Sequence, residues 1–396
     1  MKYDFETVMN RYNTGSFKYE QMIKWNSKVV EEKIVPLSVA DMEFKTPPEI
    51  VEALKTYLDN NILGYTGPTK EYFDAVIGWM KKRHDWDIKE RWILTTPGVV
   101  GAFHMAIDSL TKPDEGVIVM PPVYYPFYIA VERGKRKLVR NELKEVDGRY
   151  EIDFEDLEKK ASDPMNNTLL FCNPHNPVGR VWTREELLKV AEICEKHDVL
   201  VLSDEIHFDL IMPGHKHLVF ASLNEWAKNN SVIFTAPSKS FNLAGMHTSN
   251  VIIPNGQIKR YCTREMNRTA VMNLNALGYE ACKTAYNECE GWLEKAIEVI
   301  HENHLLVKKH MAENHPQIHV YDLEGTYLQW LDFRALGMKK EELEKMLHEE
   351  AMVFLDEGYF FGEEGSGFER INLACPRSVL EDALSRITTA LKKRGL

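Results

Sequence analysis

The chain has 396 residues, 44% of them hydrophobic and 28% charged, with a formal net charge of −11. That length allows a large core and two domains, and the acidic balance argues against a nucleic acid or an anionic membrane surface as partner. No apolar run reaches the length needed to cross a bilayer, MKYDFETVMNRYNT lacks the apolar stretch of a secretory signal, and six scattered cysteines without a CxxC pair read as reduced thiols of a cytoplasmic protein.

In chain order, residues 34–39 form a strand-like run ahead of Ala40-Asp41-Met42-Glu43-Phe44. Thr46-Pro47-Pro48 opens a helix to about Asn60, since threonine can cap and proline suits a first turn. The turn-rich Gly64-Tyr65-Thr66-Gly67-Pro68 separates it from a helix over Lys70–His84. Strands and helices then alternate: strands at 92–95, 116–120, 139–143, 168–172, 199–203, 231–234 and 250–253, helices at 98–110, 154–160 and 183–197. Thr183 with Glu186 three residues on has the capping-box spacing. This alternation predicts an α/β fold with a mostly parallel sheet covered on both faces. A helix over 278–310 would span about 50 Å if unbroken. The remainder reads as a smaller α+β unit: strands at 326–333, 352–355 and 368–374, helices at 339–351 and 378–393. The Glu/Lys run at 339–350 reads as a solvated helix face.

The ends of the strands are the candidate site positions, because ligands of open α/β sheets bind there. Lys239 follows the run Val232-Ile233-Phe234 and the break Ala236-Pro237, between Ser238 and Ser240. A lysine there can be desolvated, which lowers its pKa and frees its amine as a nucleophile. Asn176 sits in Asn173-Pro174-His175-Asn176-Pro177-Val178-Gly179, an irregular loop after Cys172. Asp204 ends another strand, with His207 three positions on. Gly98-Val99-Val100 offers backbone N–H groups at a helix N-terminus, a phosphate cradle. Tyr124 and Tyr125 follow a further strand. Singly, each has an ordinary alternative: a solvated lysine, a turn-forming asparagine, a capping aspartate, core aromatics. Together they describe one ligand, a planar phosphorylated pyridine bearing an aldehyde. The lysine carries the aldehyde, the aspartate pairs with the ring nitrogen, an aromatic ring stacks and a helix N-terminus takes the phosphate.

NPHNPVG, SDEIH and APSK, in this order and at this spacing, resemble fold-type I pyridoxal-phosphate enzymes, the aspartate aminotransferase superfamily. VADMEF (39–44), GYTGPT (64–69), PVYYPF (122–127), SDEIHFDLIMPG (203–214) and FERINLA (368–374) resemble more closely its branch of cystathionine β-lyases and cysteine C–S lyases, which includes cystalysin. The resemblance runs from near the first residue to the last helix. It implies a large domain at 48–288 with a mostly parallel seven-stranded sheet, and a small one from 1–47 and 289–396. It implies that Lys239 holds pyridoxal 5′-phosphate and is the base at Cα, that Asp204 faces the ring nitrogen, and that Asn176 and His207 face the ring hydroxyl. Tyr124 would stack on the ring, and Ser238 with Val99 and Val100 would bind phosphate. Arg370 would grip the substrate carboxylate, near Asn176, Ala40 and Tyr125, although an arginine there could instead pair with Glu369 or a neighbouring strand; Arg377 is the alternative clamp. Homodimers of the family share sites, so Tyr65, and less directly Asn275, would reach the partner's cofactor. Met42, Phe44, Tyr124 and Phe360 are the candidate pocket walls. No metal is implied.

The implied reaction is α,β-elimination from cysteine, cystathionine and related β-thio amino acids, giving pyruvate, ammonia and a thiol or hydrogen sulfide. Lys239, Tyr124 or Tyr125 would protonate the leaving sulfur. One position departs from the aminotransferase pattern: His247 stands where an arginine usually meets the phosphate, eight residues after the lysine. An aminotransferase using the same cofactor site is the alternative. A cofactor-bearing regulatory protein that docks a protein partner is a third reading.

Overall fold

Short β-branched runs alternating with helices produce the expected sheet. The computed structural model describes residues 3–25, 33–271 and 274–396; residues 1–2 and 26–32 of the expected small domain lie outside these. Seven strands lie in the order Ile93–Thr96, Ser249–Ile252, Ser231–Thr235, Leu200–Asp204, Thr168–Cys172, Gly116–Val119, Lys137–Arg140. Every neighbouring pair is parallel except the two made by Ser249–Ile252.

Successive residues of a strand point to opposite faces, and the core divides accordingly. Leu170, Leu202, Val232 and Phe234 join Ala102, Phe103, Ala106 and Ile107 of helix Val99–Leu110 in one apolar cluster. Leu169, Phe171, Val201 and Ile233 join Leu187, Val190, Ala191 and Cys194 of helix Arg184–Lys196 in the other. The parallel register pairs Cys172 with Asp204 and Asp204 with Phe234. The loops bearing Asn176, His207 and Lys239 therefore leave the sheet side by side.

A second, four-stranded antiparallel sheet has the order His319–Val320, Leu328–Asp332, Phe368–Asn372, Asp356–Glu357. The N-terminal segment joins this part of the chain: Val35–Pro36 pairs in parallel with Val353–Phe354. Asn372 also donates its N–H to the Leu37 carbonyl at 2.9 Å.

Three expectations need correction. The helix at 278–310 is two helices, Ala276–Glu288 and Glu290–Asn314, parted at buried Cys289, whose φ of −104° and ψ of 10° are not helical. The longer one spans about 37 Å. Apolar residues continue through the junction (Cys282, Ala285, Tyr286, Trp292, Leu293, all buried), so the pattern does not mark the break. The helix at 339–351 is α-helical over Lys340–Lys345 and then π-helical over Met346–Ala351. The strand at 139–143 lies at Lys137–Arg140 and is followed by a hairpin, Lys144–Val146 with Arg149–Glu151, turning on Asp147-Gly148 with φ of 49° and 74°. Helices Phe17–Trp25, Pro126–Arg133 and Gly256–Thr269 were not anticipated.

Candidate active site

Strand Ser231–Thr235 stops where Pro237 starts the single turn Pro237–Ser240. A proline at the first helical position loses no hydrogen bond and has the right φ. The turn carries Lys239 to the rim of the sheet, where its Nζ donates to the Ala40 carbonyl at 2.6 Å. That carbonyl also accepts from the Tyr327 hydroxyl at 2.8 Å. The lysine side chain lines a cavity and is partly accessible there, but its surroundings are dense. Burial, with a smaller push from Arg370, pulls its pKa down to about 8 against the pull of Asp41 and Asp204. A large fraction of such an amine is neutral near physiological pH.

Asp204 closes strand Leu200–Asp204 and is 3% exposed. Its Oδ1 accepts only the Ile206 N–H, at 3.1 Å, and among the described residues no salt bridge reaches it. Burial pushes its pKa up to about 7, opposed by Ile206 and by Lys239. A buried carboxylate so poorly partnered is complementary to a protonated ring nitrogen. His207 is buried with Nδ1 unpartnered, and burial followed by the charges of Lys239 and Arg370 holds its pKa well below the usual imidazole range.

Asn176 accepts the Tyr124 N–H at its carbonyl, 3.1 Å away, and Arg370 Nη1 at Oδ1, 2.9 Å away. Its Nδ2 meets no acceptor among the described residues. Burial, then Tyr125 and Asp204, push the Tyr124 phenol above its ordinary pKa, so it stays protonated. Across the cavity, Gly98 takes a φ of 133°, a conformation L side chains rarely adopt, at the N-cap of helix Val99–Leu110. No side chain caps this helix, which leaves the first N–H groups free for an anion.

These groups line one cavity of about 270 Å³: Ala40, Gly98, Val99, Val100, Tyr124, Asn176, Asp204, His207, Ser238 and Lys239, with His247. A phosphorylated pyridine aldehyde fits this donor set: a neutral-prone amine, an unpaired acid for the ring nitrogen, an orphaned imidazole nitrogen and an uncapped helix for phosphate. His247, half-turned in the left-handed region at φ 47°, faces the same cavity as the uncapped helix, in the place of the arginine. A second cavity of about 760 Å³ opens beyond it, sharing Ala40, Tyr124 and Lys239 and adding Tyr125, Asp356, Phe360 and Arg370.

A family model described as aminotransferase class I and II matches residues 32–387. The chain belongs to that family. Within it, the chain is 43% identical over 388 residues to cystathionine beta-lyase PatB of Bacillus subtilis (strain 168), covering 98% of this chain and 100% of that protein. It superposes on cystalysin from Treponema denticola, a structure containing pyridoxal 5′-phosphate, with a TM-score of 0.98 at 52% identity over all of both chains. The PLP-bound C–S lyase of Staphylococcus hominis matches with a TM-score of 0.89 at 29% identity, over 98% of this chain and 99% of that one.

Not every anticipated residue reaches the cavity. Arg370 is buried on strand Phe368–Asn372, but its guanidinium already engages Asp356 of the neighbouring strand, which faces it in register, and only Nε is unpartnered. Of the alternatives the sequence leaves open, pairing with the neighbouring strand is therefore real, alongside an edge turned to the cavity. Arg377 is no substitute: it lies exposed on a helix, paired with Glu381. Tyr65 is fully exposed at 106% and touches neither cavity of its own chain. Asn275 caps helix Ala276–Glu288, accepting Gly278 N–H and donating to the Met246 carbonyl. Met42 and Phe44 are core residues beside a separate surface depression, not walls of the substrate cavity; the wall there is Phe360, 50% exposed. Two residues were missed. Tyr327 holds the Ala40 carbonyl, and Asp356 joins Arg370 to the Val39 N–H at 3.0 Å. Each reaches Val39-Ala40 from some 300 residues away in sequence, beyond any local signal.

Proposed function

We propose that this chain is a pyridoxal-phosphate-dependent carbon–sulfur lyase, which eliminates a thiol or hydrogen sulfide from L-cysteine, cystathionine and related β-thio amino acids to leave pyruvate and ammonia. The observation that carries the reading is a desolvated lysine, pKa about 8, in one cavity with an unpaired buried aspartate and an uncapped helix N-terminus.

Lys239 would hold the cofactor through Nζ. Asp204 would keep the proton on the ring nitrogen, Tyr124 would support the ring, and Asn176 and His207 would serve its hydroxyl. Ser238 and the N–H groups of Val99 and Val100 would bind the phosphate, with His247 nearby. When bound, the cofactor supplies an electron sink for the pair released at the substrate Cα. Arg370 orients the substrate through its carboxylate, with Asn176 and Ala40 beside it. Lys239, freed as a base, would take the Cα proton, and the thiolate would leave Cβ with its bonding pair. Tyr124, still protonated, or Lys239, now charged, would return a proton to sulfur. The released enamine would take up one water to give pyruvate and ammonia. Tyr125, half-exposed in the outer cavity, would contact the substrate.

The chain divides into a large domain at 48–288 and a small one from 1–47 and 289–396, with the substrate cavity between their sheets. It works as a homodimer. Tyr65 stands fully exposed next to Ile62 and Leu63, at 90% and 65%, an apolar edge suited to a second copy whose phosphate Tyr65 would meet. Among the described residues, no helix is long and apolar enough to cross a membrane. All six cysteines are free and buried, which suits the reducing cytoplasm. The test is a panel of β-substituted amino acids with no keto-acid acceptor. Pyruvate with sulfide or thiol supports the lyase, whereas turnover only when a keto acid is added refutes it.

A further inference from the structure

Beside the substrate cavity lies a group of acids that the elimination does not use. Strands Asp356–Glu357 and Phe368–Asn372 are antiparallel, and Glu357 stands directly opposite Glu369. Residues so paired share a face with Cβ atoms about 5 Å apart, and like charges there repel. Glu369 is 2% exposed and its Oε2 has no partner. From the neighbouring helix, His348 brings Nε2 to 3.3 Å from Glu357 Oε1, and its own Nδ1 is buried without a partner. The imidazole is fixed by stacking flat on Phe354, 3.9 Å between ring centroids. Glu344 precedes His348 by four residues and so shares its helix face; the Tyr359 hydroxyl donates to it at 3.1 Å. One ligand atom each from Glu344, His348 and Glu357 lies within 4.8 Å of the others. The helix passes from α to π between Glu344 and His348, a distortion common at functional sites.

Among the described residues, no lysine or arginine pairs with Glu344, Glu357 or Glu369. Arg370 is engaged by Asp356 and Asn176, and Lys340 stands over the ring of Tyr359. Clustered buried acids are stable when a cation neutralises them.

We propose that Glu344, His348 and Glu357 form a binding site for a divalent transition-metal cation at the mouth of the substrate cavity, with Glu369 behind them. One imidazole among carboxylates, with no thiolate, selects zinc or manganese over calcium or magnesium. Glu344, His348 and Glu357 line the outer cavity together with Asp356 and Arg370. An ion there ties the helix to strand Asp356–Glu357 and, through Asp356, steadies the guanidinium that receives the substrate carboxylate.

The test uses the cofactor-loaded full chain, stripped with a chelator and dialysed against zinc chloride or manganese(II) chloride, with bound metal measured by plasma mass spectrometry. Wild type is expected to retain one ion per chain, and Glu357→Gln and His348→Gln none. Added zinc should raise the Tm of wild type and leave that of the variants unmoved. If Glu357→Gln does not fold, Glu344→Gln, at the partly accessible rim, carries the same comparison. Wild type retaining no metal, or the variants retaining as much as wild type, overturns the site. A Tm raised by an alkyl diamine such as putrescine but not by either metal also overturns it, and gives the acids to an organic ammonium instead.

Discussion

Replacing Arg370 by alanine tests the substrate clamp against the contact that competes with it. In the structure the guanidinium donates to Asn176 Oδ1 at 2.9 Å and to Asp356, while Nε is buried with no acceptor. In the proposed reaction a substrate carboxylate would compete with Asp356 for the same charge. A hydrogen bond between charged groups contributes about 1.5–3 kcal/mol. Losing it should lower kcat/KM by roughly 10- to 150-fold. Because the carboxylate is held before and during reaction, the loss should fall chiefly on KM. The alanine variant also leaves Asp356 facing the incoming carboxylate without its counter-charge. Adding Asp356→Asn to Arg370→Ala should therefore recover part of the loss, a non-additivity expected of residues in one network. Pyruvate release from cystathionine over a range of concentrations measures both effects. A KM for Arg370→Ala within about twofold of wild type would refute the clamp. Strict additivity of the two substitutions would refute the competition.

Three further outcomes follow from the same site. Asp204→Asn keeps the volume but removes the charge, so cofactor should be held more loosely and exchange of the substrate Cα hydrogen with deuterium should slow by about 100-fold; unchanged exchange would place the ring-nitrogen partner elsewhere. The pKa of Lys239, about 8 rather than 10.5, sets how fast stripped enzyme takes up cofactor: the rate should rise with pH to about 8 and then level, and a rise continuing to pH 10 would mean an ordinary solvated amine. The sign for stability agrees, since the unfolded chain keeps this proton to higher pH; cofactor-free enzyme should gain stability between about 8 and 10.5, where the unfolded state binds more protons, and a flat profile there would contradict the shift. Mixing Tyr65→Ala chains with Lys239→Ala chains should restore activity to hybrids, because one of their two sites then combines Lys239 with the other chain's Tyr65; mixtures as inactive as their parents would return Tyr65 to its own chain.

Part of the cavity floor was legible because its residues follow strand ends. Asp204 closes one strand, and Asn176 and Lys239 come just after two strands that lie beside it in register. Thr183 and Glu186 likewise announce a capping box that the structure forms. Legibility failed where contacts span the chain. The hydrogen bonds of Asp356 with Val39 and of Tyr327 with Ala40 join segments that no local pattern links. Met42 and Phe44 lie within a motif beside Ala40, yet their side chains turn into the core, so nearness in sequence misassigned them. Helix Gly256–Thr269 escaped because it is polar over most of its length and buries only Cys262 and Met266. The break at Cys289 escaped because apolar residues continue on both sides of it.

The proposed chemistry needs a single covalent attachment, and borohydride reduction followed by peptide mapping measures it most directly. Reduced holoenzyme should carry the cofactor's mass on the peptide containing Lys239, and Lys239→Ala should show neither that adduct nor pyruvate release. An adduct on a different lysine, or near-normal turnover by Lys239→Ala, would contradict the assignment.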